Sequence, residues 1–142
     1  MKIHQVNLLL IGCLGPMVLL GCGSGGPETI PVFGTVTFEG RERPEACRLF
    51  FRPIESTGTA RPAVSQTAED GTYEVKAFKN AEGLLPGTYS LNVSYIDVKP
   101  GADPSVESNW ISQSFDAGEV SVPADSDAVE HNITVPKSPR AG

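Results

Sequence analysis

Histidine is nearly absent from this chain: there are two, and only His131 lies beyond residue 4. One imidazole is too few for a zinc site of the usual His/Cys kind, and no H-E-x-x-H helix motif occurs. No G-x-S-x-G turn is present to place a nucleophilic serine beside that histidine. Cysteine is scarce too. Cys13, Cys22 and Cys47 form no C-x-x-C or Cys/His spacing, which leaves no sign of redox or zinc-ribbon chemistry. Asp70, Asp97, Asp103, Asp116, Asp125 and Asp127 are scattered, and "ADSDA" offers only two carboxylates together. Calcium needs roughly six to eight oxygens gathered in one place, so neither a metal nor a cofactor is expected.

Positive charge is also in short supply. Lys and Arg total 11 against 17 Asp and Glu; from residue 22 onward ten face seventeen, a net charge of −7. Nucleic-acid binding rests on neutralising phosphates, so this balance excludes it as a partner. Docking onto anionic lipid through a basic face is disfavoured for the same reason. Long apolar runs are missing except for one, "LLLIGCLGPMVLL" at residues 8–20. A spanning helix needs roughly 20 such residues, so this one is too short for a stable membrane span.

That single run is nonetheless informative. It follows a start, "MKIHQVN", with one lysine and no acid, which is the order of a secretory signal. It ends in Leu19-Leu20-Gly21-Cys22, which resembles the lipobox of bacterial lipoproteins. The resemblance implies cleavage between Gly21 and Cys22 and transfer of diacylglycerol to the Cys22 thiol. The competing match, "LIGC" ending at Cys13, leaves too short an apolar core. Acyl chains add about 0.8 kcal/mol per buried methylene, and two or more hold a protein stably at a membrane. "GSGGPETIP" then reads as a polar leash reaching roughly 30 Å when extended. Gly23 and Ser24 carry no acidic retention signal, so the expected location is the cell envelope, at the outer membrane facing the periplasm.

From Val32 onward the hydrophobic period is two. "VFGTVTF" puts Val32, Gly34, Val36 and Phe38 on one face. "CRLFFRP" turns Cys47, Leu49 and Phe51 inward, and "AVSQT" gives a third strand. Glu69-Asp70-Gly71 marks a hairpin before "TYEVKAF", which buries Tyr73, Val75 and Ala77. Pro86-Gly87 suits a type II turn, and the strand after it alternates Tyr89, Leu91, Val93 and Tyr95. Residues 97–113 read as a long polar connection, "WISQSF" as an edge strand, and "AVEHNITVP" as the last strand, with Val129, His131, Ile133 and Val135 on one face. No segment has a 3.6-residue period. Six or seven short strands with turn signals between them indicate an antiparallel β-sandwich.

The ordered set of signals resembles the carboxypeptidase regulatory-like domain, a transthyretin-like, seven-stranded sandwich. Gly34 and Val36 match its first strand and Gly40 its turn. Asp70-Gly71-Thr72-Tyr73 match its hairpin, and Leu85-Pro86-Gly87-Thr88-Tyr89 its later turn. The match covers roughly residues 32–96 and fades over 97–135. The expected fold is all-β: one antiparallel seven-stranded β-sandwich, transthyretin-like or immunoglobulin-like. The expected division is 1–21 signal peptide, 22–31 lipidated cysteine and tether, 32–136 sandwich and 137–142 disordered tail.

The resemblance implies no catalytic residue, so the chain is expected not to be an enzyme. Transthyretin-like hydrolases of 5-hydroxyisourate need several histidines and a terminal Tyr-Arg-Gly-Ser, whereas this chain ends "KSPRAG". Related adhesin sandwiches weld strands through a Lys–Asn isopeptide bond, yet "VFGTVTF" has no lysine to meet Asn132. Cys47 stands where the family has a small inward residue and reads as a buried small hydrophobe. Trp110, with Phe115 nearby, is the candidate binding residue, since exposed aromatics stack on sugars or fill a partner's pocket. The sequence thus points to a non-catalytic, lipid-anchored envelope module. Its partner would be an envelope protein or glycan, and the alternative is a carbohydrate- or peptide-binding domain built on Trp110.

Overall fold

Side chains that alternate with a period of two must line opposite faces of a strand, and this chain obeys that rule almost throughout. The computed structural model describes residues 28–42, 45–55, 60–78 and 81–137. The expected signal segment, with Gly21 and Cys22, and residues 138–142 lie outside the described residues. Ten β-segments follow in order: β1 (Val32–Phe38), β2 (Cys47–Pro53), β3 (Ala63–Gln66), β4 (Thr72–Glu74), β5 (Lys76–Phe78), β6 (Ala81–Glu82), β7 (Gly87–Val98), β8 (Trp110–Val122), β9 (Val129–Glu130) and β10 (Ile133–Val135). Among the described residues no helix is long and apolar enough to cross a membrane.

The segments form two sheets and a small ribbon. The first sheet runs β10-β1-β4, with β9 also on β1; the second runs β3-β2-β7-β8; β5 pairs with β6. Val32, Val36, Phe38 and Tyr73 from the first sheet meet Leu49, Phe51, Tyr89, Leu91 and Val93 from the second in one buried cluster. Burying side chains of this size stabilises by about 1.5–3 kcal/mol each relative to exposure.

Several expectations are corrected. The first sheet is mixed, not antiparallel: β9 and β10 run parallel to β1, with Val36 opposite Ile133. Among the described residues the segments number ten rather than seven, because backbone breaks divide two of the expected strands and β6 is added to them. "TYEVKAF" divides at Val75, since β4 pairs with β1 while β5 turns away to β6. "AVEHNITVP" divides at His131–Asn132. The expected connection 97–113 is shorter, because β7 runs on to Val98 and β8 begins at Trp110, with those two residues paired. Gly87 has φ 153°, nearer extended backbone than the φ of about +80° of a type II turn. The stretch expected as a tether up to Pro31 includes a residue packed into the fold. Ile30 is 4% exposed and exchanges both backbone hydrogen bonds with Leu84.

Gly34 shows why β1 needs a glycine. A Cβ there would lie 2.0 Å from the His131 carbonyl oxygen, so only a bare backbone lets β1 approach residues 131–132 so closely. β8 holds a second device. Phe115 and Ala117 face inward, and so do Val120 and Val122, although strict alternation would put the two pairs on opposite faces. The register slips between Ser90 and Asn92, and Gly118 at φ 83° takes up the extra residue. This is a β-bulge with glycine in the left-handed region, and the Asp116 carboxylate accepts the Gly118 N–H at 2.9 Å.

Candidate functional site

Among the described residues the β7–β8 hairpin is the longest feature, and its tip carries Trp110. Twelve residues in β7 and thirteen in β8 extend roughly 40 Å at the usual rise per residue. The connecting loop is held by its own hydrogen bonds. The Asp103 carboxylate accepts from the Ser105 N–H and hydroxyl at 2.9 and 2.7 Å. The Lys99 N–H donates to the Asn109 carbonyl at 2.9 Å, closing the loop. The Ser105 bonds hold the Asp103 carboxyl below its ordinary pKa. Trp110 is 47% exposed, and its indole N–H donates to the Pro104 carbonyl at 2.9 Å. That bond fixes the ring across the loop while leaving much of it in solvent.

Phe115 does not join Trp110. The two are five residues apart on one strand, so they point to opposite faces. Phe115 is partly buried against the core opposite Val93. A platform of two coplanar rings is therefore not formed; Trp110 stands alone at the tip.

Beneath the same end of the sandwich lies a cleft of about 480 Å³ whose walls include Phe38, Tyr95, Ile111 and Val135. Its central residue, Arg41, is not singled out by the sequence. The Arg41 guanidinium lies over the Phe38 and Tyr95 rings, 5.3 and 5.9 Å from their centres. It also pairs with Asp97 at 2.8 Å and Glu45 at 3.1 Å. Two carboxylates already meet this cation, so the cleft holds no uncompensated positive charge from it. Only the crowding of charge in "EGRERPE" hints at such a network.

The other candidates fall into structural places. His131 is half-buried between β9 and β10; its backbone N–H donates to the Phe33 carbonyl, and its own carbonyl accepts the Tyr73 hydroxyl. Burial lowers the pKa of the His131 imidazole below the ordinary value and raises that of the Tyr73 phenol. Cys47 is buried and free; burial raises its thiol pKa, against a smaller opposing effect from Thr67. Asn132 secures β1: its amide oxygen accepts the Thr35 N–H and hydroxyl, both at 3.0 Å. Among the described residues no three His, Cys, Asp or Glu side chains gather as a metal site. Asp70 closes its hairpin by accepting from the Thr72 hydroxyl at 2.6 Å and N–H at 3.0 Å, which lowers its pKa.

No protein-family model and no curated protein matches this chain. Among solved structures it is similar to a candidate adhesin from Bacteroides ovatus, at 14% identity and TM-score 0.45 over 75% of this chain. It is also similar to a 9R-lipoxygenase from Cyanothece, at 13% identity and TM-score 0.37 over 77% of this chain. The matched part spans 44% of the first protein and 16% of the second, and likeness at these TM-scores carries no argument about fold or function.

Proposed function

We propose that this protein is a lipid-anchored, non-catalytic interaction module of the bacterial envelope, with a sandwich of the carboxypeptidase regulatory-like, transthyretin-like kind. The carrying observation is the order of parts along the chain. A short apolar run ends in Leu-Leu-Gly-Cys, a Gly/Ser-rich stretch follows, and among the described residues β-pairing starts with Ile30. A rigid sandwich behind such a leash presents loops and strand faces for recognition. The test is mass spectrometry of the mature N-terminus. The mature chain is expected to start at a diacylated Cys22, and Cys22→Ser to abolish both lipid and cleavage. An unlipidated chain, or one that starts before residue 22, refutes the anchor.

A second reading is favoured by one observation, the exposed indole of Trp110 fixed at the hairpin tip. There the module binds a carbohydrate or peptide. Trp110→Ala is expected to lower retention on envelope glycan or peptide arrays about tenfold or more, the range of an aromatic anchor. Retention that survives the substitution unchanged removes this reading.

A further inference from the structure

The outer face of the second sheet keeps its basic and acidic side chains on different strands. Strand pairing sets three rows across it: Gln66–Arg48–Ser94–Ser114, then Val64–Phe50–Asn92–Asp116, and Arg52–Ser90–Glu119. Read down the strands, β2 presents Arg48 and Arg52 on either side of Phe50, β7 presents Ser90, Asn92 and Ser94, and β8 presents Ser114 and then Asp116 and Glu119. The basic and acidic columns are separated by two strand spacings, about 10 Å. Arg48 and Arg52 make no ion pair among the described residues. Two cations left unpaired on one face of so acidic a chain call for a partner. The same face carries three of the exposed large apolar side chains, Val64, Ile96 and Trp110.

We infer that this face is a homodimer interface, occupied by a second copy of the same chain. A two-fold axis along β7 carries β2 of one copy over β8 of the other. Arg52 then faces Glu119 of the second copy, Arg48 reaches toward its Asp116, and the small polar column of β7 lies on the axis. A contact of this isologous type is made twice. The alternative two-fold axis, across the strands, stacks arginine on arginine and acid on acid, which repels. The charge pattern therefore selects one axis. That axis preserves strand direction, so both copies present their Ile30 ends on the same side. Two chains tethered to one membrane require this arrangement; this point and the one that follows rest on the lipid-anchor reading. The tether also raises local concentration, which helps a polar interface hold against the repulsion of two net-negative domains.

The test uses the purified full-length chain in detergent. Facing sheets lie about 10 Å apart, beyond the reach of a disulfide, so Ser94→Cys is treated with a bis-maleimide of about that span. A product of twice the chain mass is expected from Ser94→Cys. The parent chain, which carries Cys22 and the buried Cys47, sets the background, and nothing above it is expected from Thr37→Cys on the outer face of the first sheet. Arg52→Glu and Glu119→Arg, each added to Ser94→Cys, are expected to cut the yield about tenfold or more. The combined Arg52→Glu/Glu119→Arg variant is expected to restore it, which also shows that the single variants did not simply unfold. Raised salt lowers the yield. Equal crosslinking through Thr37→Cys, a product of any other mass, insensitivity to the single reversals, or failure of the double reversal to restore the product overturns the proposal. The N-terminal mass of the same sample reports on the anchor separately.

Discussion

Tyr89 is the residue on which the second sheet turns. It is 1% exposed, and its hydroxyl donates to the Leu85 carbonyl four residues upstream at 2.8 Å. This is the bond of a tyrosine corner, which pins the entry of a strand to the loop before it. Tyr89→Phe keeps the ring and removes the donor, leaving a buried carbonyl unpaired at a cost of about 1–3 kcal/mol. Chemical denaturation is expected to show a lower midpoint with unchanged slope; an unchanged midpoint shows that water replaces the hydroxyl. The sequence announces Tyr89 as inward-facing by its alternation with Leu91 and Val93. It cannot announce the partner, because a carbonyl bears no mark of being otherwise unsatisfied. Gly34 is legible in the same partial way. Its place on the inner face of β1 is clear, but its reason, the His131 backbone passing beside it, comes from 97 residues away.

At the scale of elements, β8 departs most from the reading of its sequence. "WISQSF" reads as strand, whereas "DAGEVSV" does not join it, because the inward set changes from Phe115 and Ala117 to Val120 and Val122. Only a bulge reconciles the two halves, and pairing with β7 creates it. Gly118 sits at φ 83°, and a methyl group placed there would meet nothing within 4 Å; the cost of a side chain is therefore backbone strain alone. Gly118→Val is expected to destabilise by about 1–3 kcal/mol, the range for a residue forced into this region, and Gly118→Asn by less. Equal stability of the glycine and valine proteins would mean that the bulge relocates. The end of β7, by contrast, reads as connection because the stretch from Asp97 to Asn109 is polar and rich in turn residues. A strand whose outer face meets water need not look hydrophobic.

For the whole molecule, the pH response just below neutrality follows from one half-buried group. Burial lowers the His131 pKa in the folded protein, while the unfolded chain keeps the ordinary value of 6.5. The unfolded state therefore binds more protons in the window below that value, so stability rises with pH there. The contribution is fully present above about pH 6.5 and is lost as pH falls through the depressed folded value. Melting temperature is expected to drop on acidification from pH 7, and His131→Gln to flatten that part of the profile. A profile identical in both proteins assigns the slope elsewhere. Asp70 and Asp103, held low by turn hydrogen bonds, act only in the more acidic carboxylate range.

The sequence by itself determined the all-β class, the inward face of β1, β2 and β7, and the absence of a metal-binding or histidine-based motif. These follow from alternation and composition, which are local properties. The tertiary structure alone decided the parallel pairing of β1 with β9 and β10, and the separation of Trp110 from Phe115. It also decided the Arg41 network over Phe38 and Tyr95, and the opposed charge columns on β2 and β8. Each of these depends on which strand lies beside which, and register is a long-range outcome of packing that no short window of residues encodes.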